Sequence, residues 1–120
     1  MPDLVILHNP NCSSSRYATE LADELGVSYS IRRYLLKAER LDRAELETLV
    51  AQLDDPATDL VRRDANFDKL GLSDGDVATA AQVVDVLEKN FALLQRPVLI
   101  KGDRAIIGRP RERVRPFIRP

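Results

Sequence analysis

This chain has little with which to build a disulfide, a metal centre or a membrane anchor. It holds one cysteine, one histidine and no tryptophan, and no apolar run approaches the ~18 consecutive residues that a bilayer span needs. A lone cysteine cannot close an internal disulfide, and one cysteine with one histidine has no recognisable zinc-ligand spacing, so no metal is expected. The opening Met1-Pro2-Asp3-Leu4 lacks both the basic stretch and the apolar core of a secretion signal. A cytoplasmic location without a membrane partner is the expectation. The formal net charge of -1 excludes a globally basic nucleic-acid binder.

What is present suffices for one core. With 120 residues, 44% of them hydrophobic, the chain is expected to form a single domain over 1–120. Charge is unevenly spread. Residues 41–90 hold twelve acids against five bases, whereas residues 91–120 hold eight bases against Asp103 and Glu112. The C-terminal quarter is therefore a positive field suited to an anion.

Leu4-Val5-Ile6-Leu7 is an unalternating apolar run, as in a central strand buried on both faces, and Asn9-Pro10-Asn11 ends it with turn chemistry. From Ser13 onward Tyr17, Leu21, Ala22 and Leu25 recur at helical spacing, with Gly26 at a cap position. Val27 to Tyr34, rich in β-branched and aromatic residues, reads as a second strand. Residues 41–90 read as helical: Asp42 and Glu45 form a capping-box pattern before a helix through Leu53, and Ala78 to Asn90 carries another. Breaks at Asp54-Asp55-Pro56 and Leu70 to Gly75 leave room for short helices around Leu60 and Phe67. Val98-Leu99-Ile100 and Ala105-Ile106-Ile107 flank a polar loop with Gly102 and read as a hairpin, with a last short helix after Pro110. This order predicts an α/β fold. It is a thioredoxin-like mixed sheet with a helical insertion between an N-terminal βαβ unit and a C-terminal ββα unit.

Chemistry concentrates where the first strand meets the first helix. Cys12 follows Asn-Pro-Asn and precedes the helix, where unpaired backbone N–H groups and the positive end of the dipole favour a thiolate and an adjacent anion. The polar neighbours Asn11, Ser13, Ser14 and Ser15 argue for a reactive site over an inert buried thiol. The serines offer either donors to an oxyanion or simple helix caps. Arg16, one turn after Cys12, lies either beside the sulfur or in solvent. His8 either adds positive potential or orients the cysteine loop.

His8-Asn9-Pro10-Asn11-Cys12-Ser13-Ser14-Ser15-Arg16 resembles the H-N-P-x-C-x-x-S-R signature of the glutaredoxin-coupled arsenate reductases. Leu60-Val61-Arg62-Arg63 before Leu70-Gly71-Leu72, Leu94-Gln95-Arg96-Pro97 and Ile107-Gly108-Arg109-Pro110 resemble the later motifs of that family, in order, across nearly the whole chain. The resemblance implies that Cys12 attacks arsenate and that Arg62, Arg96 and Arg109 hold it, with Ser15 and Arg16 assisting and His8, Asn9 and Pro97 in support. Register alone leaves Arg63 as an alternative to Arg62. Pro97 matches the place where thioredoxin-like folds keep a cis proline, the alternative being an ordinary strand-entry proline. A multiply charged tetrahedral anion needs several charge-assisted donors, which guanidinium supplies in planar forks. With no second cysteine, the resemblance implies glutathione as co-substrate, with no bound cofactor, and glutaredoxin as the partner that resolves the mixed disulfide.

Two rival readings belong to the same fold. One is a glutathione-dependent oxidoreductase acting on another substrate, against which the arginine set argues. The other is a transcriptional regulator working without redox sensing, since Ser15 stands where such regulators carry the second cysteine of a C-x-x-C pair.

Overall fold

In the computed structural model, which describes residues 4–119, strand β1 (Leu4–Leu7) lies between β2 (Tyr29–Arg32) and β3 (Val98–Lys101), with β4 (Arg104–Ile107) outermost. β1 runs parallel to β2, while β1–β3 and β3–β4 pair antiparallel. The central place of β1 explains its unbroken apolar sequence. Leu4 and Ile6 pack on one face with α1 (Ser13–Glu24) and α5 (Val114–Ile118). Leu7 packs on the other face, with residues of α2 (Arg43–Gln52), α3 (Ala65–Lys69) and α4 (Ala80–Lys89). The result is the expected thioredoxin-like mixed sheet, with helices on both faces and the helical segment inserted between β2 and β3.

The local signals act as physical chemistry requires. Gly26 takes φ 69° at the end of α1, and the Val27 amide reaches back to the Ala22 carbonyl at 2.9 Å, closing the helix in a Schellman turn. Asp42 and Glu45 form the full reciprocal capping box on α2, and Thr79 with Gln82 does the same on α4. The hairpin turn contains only Gly102 and Asp103; Gly102 supplies φ 62° at its first position, the type II′ requirement.

The structure departs from the sequence expectation in places, the helix expected over Ala78 to Asn90 spanning Ala80–Lys89. β2 covers Tyr29–Arg32 and not 27–34, because its one neighbour, β1, offers only four residues to pair with. The segment over 41–90 is not wholly helical: Leu53 bridges to Ala105 and Val61 to Leu94, tying the insertion to the sheet side of the molecule. The short helix expected after Pro110 is present, opening as a 3-10 turn at Arg111–Arg113 before becoming α5. Among the described residues no helix is long and apolar enough to cross a membrane.

Candidate active site

Cys12 is the N-cap residue of α1, in extended conformation (φ −105°, ψ 123°). A cysteine here replaces the usual oxygen-bearing cap, so the first free amides of the helix face sulfur. The loop before it is fastened from within. The Cys12 amide donates to the Asn9 carbonyl (3.0 Å), the Asn11 amide to Asn9 Oδ1 (2.9 Å) and the Asn9 amide to Ser15 Oγ (3.3 Å). Cys12 is only 5% exposed. Burial pushes its thiol up, but the Ser15 amide, the Arg96 and Arg109 guanidinium groups and the Ser14 amide outweigh it, lowering the pKa from 9.0 to about 6. With that value the thiolate predominates at neutral pH.

Arg109 and Arg96 act on this sulfur by separate routes. Arg109 follows β4; its Nη2 lies 3.6 Å from Cys12 Sγ and its Nε donates to the Arg96 carbonyl at 2.9 Å. Arg96 precedes β3 and favours the thiolate without making a hydrogen bond of comparable geometry; its buried Nε has no partner among the described residues. Arg62 arrives through the Val61–Leu94 bridge. The Arg62 amide donates to the Leu93 carbonyl (2.8 Å) and the Gln95 amide to the Leu60 carbonyl (2.7 Å), so the chain approaching Arg62 lies against the chain approaching Arg96. Arg62 Nη1 is paired with Asp64 at 2.9 Å on a partly exposed surface, an ion pair that an incoming multiply charged anion can displace.

Arg63 is committed elsewhere. Its guanidinium donates to the carbonyls of Thr58 (2.5 Å) and Val61 (2.7 Å) and to Thr58 Oγ1 (2.6 Å), and Nε pairs with Asp74 at 3.3 Å. Of the two adjacent arginines, Arg62 is the less committed, its guanidinium making one ion pair, to Asp64, among the described residues. The Ser15 and Arg16 side chains serve the loop: Ser15 Oγ accepts from Asn9, and Arg16 Nη1 donates to the Pro10 carbonyl at 2.8 Å. Ser15 contributes to the sulfur through its backbone amide. Burial, then the charges of Arg33 and Arg16, hold His8 below its ordinary 6.5, so its imidazole is neutral at pH 7 and adds no positive charge. His8 instead extends the β1–β2 pairing, its amide donating to the Arg32 carbonyl at 2.9 Å. The Arg96–Pro97 peptide bond is cis, as is Arg109–Pro110.

Several residues that the sequence did not single out position this site. Asp55 Oδ2 accepts from the Ile107 amide at 2.9 Å while Oδ1 pairs with Arg113 at 2.7 Å; Arg113 also donates to the carbonyls of Ile107 and Arg109. Together they clasp the turn that carries Arg109. Gly108 packs flat on Pro97, where a Cβ would meet Pro97 Cγ at 2.7 Å. Arg111 donates to Ser13 Oγ at 3.1 Å and lies over the Tyr17 ring, joining the C-terminal turn to the start of α1. Apart from Gly108, which stands within the Ile107 to Pro110 motif, no local pattern marks these residues, because the contacts of Asp55 with Arg113 and of Arg111 with Ser13 join segments far apart in sequence. A cleft of about 610 Å³ beside α5, lined by Lys101, Arg104, Ile106 and Phe117, does not include the thiol. Two of its cations are engaged, Arg104 with Asp54 and Lys101 with the Phe117 and Arg119 carbonyls.

A nucleophilic thiolate beside two guanidinium groups and helix-terminal amides is equipped to attack a tetrahedral oxyanion. Residues 7–117 match the model of the ArsC family. An arsenate reductase of Haemophilus influenzae is 34% identical over 113 residues, covering 92% of this chain and 95% of that protein. The solved structure of an arsenate reductase from Vibrio cholerae is similar with a TM-score of 0.82 at 28% identity, covering 98% of both chains. The global transcriptional regulator Spx of Listeria innocua is 27% identical over 111 residues, covering 92% of this chain and 82% of that protein.

Proposed function

The chain belongs to the ArsC family, and from that premise we propose that it is an arsenate reductase coupled to glutathione and glutaredoxin. The observation that supports this reading best is the Cys12 thiolate beside Arg109 Nη2 at 3.6 Å, with Arg96 acting on the same sulfur. Cys12, Arg62, Arg96 and Arg109 form the working set. The guanidinium groups and the Ser14 and Ser15 amides neutralise the anion, and the sulfur attacks arsenic. A sulfur–arsenic bond forms, an arsenic–oxygen bond breaks, and that oxygen leaves as water after protonation, with arsenic still in the +5 state. An external thiol then attacks. Two electrons pass from the paired sulfurs to arsenic, which departs as arsenite and leaves a disulfide. Because Cys12 is the one cysteine of the chain, the second sulfur comes from an external thiol; the resemblance to the glutaredoxin-coupled enzymes implies glutathione, with glutaredoxin reducing the mixed disulfide.

The test is arsenate-dependent NADPH oxidation with glutathione, glutaredoxin and glutathione reductase. Wild type should turn over, Cys12→Ser should not, and Arg96→Ala should lose about 10- to 100-fold in kcat/KM, the effect of removing a hydrogen bond to a charged group. Turnover only when thioredoxin and its reductase replace the glutathione system would refute the coupling. Folded, reduced wild type inactive with either system would refute arsenate reduction and favour a mixed-disulfide oxidoreductase or a regulator.

A further inference from the structure

The insertion side of the sheet buries one polar atom that the reaction just described does not use. Tyr34, two residues after β2, is 1% exposed, and its ring is packed among Leu46, Leu87 and Leu94. Its hydroxyl has no hydrogen-bond partner among the described residues. A buried phenol oxygen without a partner is destabilising unless something met in the working state engages it. The charged groups acting on that oxygen are Arg96, Arg62 and Cys12, three of the groups assigned above to the anion. Arg96 acts on it without a hydrogen bond of good geometry, and Arg96 Nε is itself buried with no partner among the described residues. Two unsatisfied polar groups thus stand by the same thiolate.

We infer that Tyr34 is a further ligand of the oxyanion, its hydroxyl donating a hydrogen bond to an oxygen of the tetrahedral anion held between Arg62, Arg96 and Cys12. Burial raises the phenol pKa against the opposing pull of Arg96 and Arg62, so the hydroxyl keeps its proton at neutral pH and remains a donor. A neutral donor suits this position. It adds a directional contact without another cation to desolvate.

This inference rests on the oxyanion-site reading above, and Tyr34→Phe separates the two. The substitution removes the hydroxyl and keeps the ring, so the melting temperature should stay equal or rise. Cys12 alkylation by iodoacetamide is followed at pH 7 against increasing arsenate, phosphate and sulfate. The half-protecting arsenate concentration should rise about 10- to 100-fold in Tyr34→Phe, the effect of losing one hydrogen bond to a charged oxygen. Alkylation without anion should match wild type, and kcat/KM for arsenate should fall by the same factor as protection. Unchanged protection at an unchanged melting temperature overturns the role of Tyr34 and leaves the reductase reading intact. Weaker protection accompanied by a lower melting temperature assigns Tyr34 to packing and also overturns it, as does a wild type that none of the three anions protects. Protection that weakens in Tyr34→Phe, in a wild type that does not turn over arsenate, supports the Tyr34 contact and sinks the reductase.

Discussion

Replacing Arg109 by Ala should raise the pH at which Cys12 becomes reactive, and the size of the rise follows from the geometry. The cation lies 3.6 Å from the sulfur. Two unit charges at that separation attract by about 1.2 kcal/mol in bulk water and by roughly four times as much at an effective dielectric of 20. The lower figure corresponds to just under ~1 pH unit. The sulfur is lowered from 9.0 to about 6 by two amides and two guanidinium groups working against burial, so a share of roughly one pH unit for Arg109 is consistent with the whole. The assay is the rate of iodoacetamide alkylation from pH 4.5 to 9.5, and its readout is the midpoint. The rate at one pH discriminates poorly: thiolate nucleophilicity falls with pKa, so a roughly 90-fold gain in thiolate at pH 7 shrinks to a few-fold gain in rate. Wild type should titrate near 6, with Arg109→Ala about one unit higher and Arg109→Lys in between. A wild-type midpoint in the ordinary thiol range, or an Arg109→Ala midpoint equal to that of wild type, would refute the reasoning. Linkage supplies a second check. The folded value lies below the unfolded one, so thiolate stabilisation is complete above the unfolded pKa and is lost as pH falls through about 6. At pH 7 it contributes about 1 kcal/mol after allowance for solvent screening, so the stability of wild type relative to Cys12→Ser should increase between pH 6 and 9.

Arg62 and Arg63 should separate cleanly. Arg62→Ala is expected to lower kcat/KM for arsenate at least tenfold with little change in melting temperature, whereas Arg63→Ala, which breaks the contacts to Thr58, Val61 and Asp74, should cost about 1 kcal/mol of stability and spare turnover; the reverse pattern would exchange their roles. Gly108→Ala places a methyl 2.7 Å from Pro97 Cγ and 3.3 Å from Val114 Cγ2. Overpacking of that kind should cost about 1–3 kcal/mol in urea unfolding, and the displaced Pro97–Arg96 segment should also weaken protection of Cys12 by anions. Wild-type stability in Gly108→Ala would show that the contact relaxes freely.

Much of this molecule is written in short stretches of sequence. Leu4–Leu7 reads as a central strand because both of its faces are apolar, and both faces are covered. Asp42 with Glu45 starts α2 through contacts confined to one helical turn, and Gly102 permits a two-residue hairpin turn through its own backbone freedom. Such features depend on neighbours along the chain, so the sequence determines them by itself. The placing of Cys12 at a helix start is of the same kind, and so is the reactive character that follows from the helix amides. The arginine motifs were legible too, but only through resemblance, since no local rule distinguishes Arg62 from Arg63. What sets the two apart is tertiary: the Val61–Leu94 bridge brings the Arg62 segment against the Arg96 segment, and backbone carbonyls occupy Arg63. The short length of β2, the clasp of Asp55 and Arg113 on the Arg109 turn, the fit of Gly108 against Pro97 and the unpartnered hydroxyl of Tyr34 likewise exist only once distant segments meet. Each is a contact between residues far apart in the chain, and the packing of the insertion and hairpin against the sheet, not any periodicity or local propensity, decides which of them form.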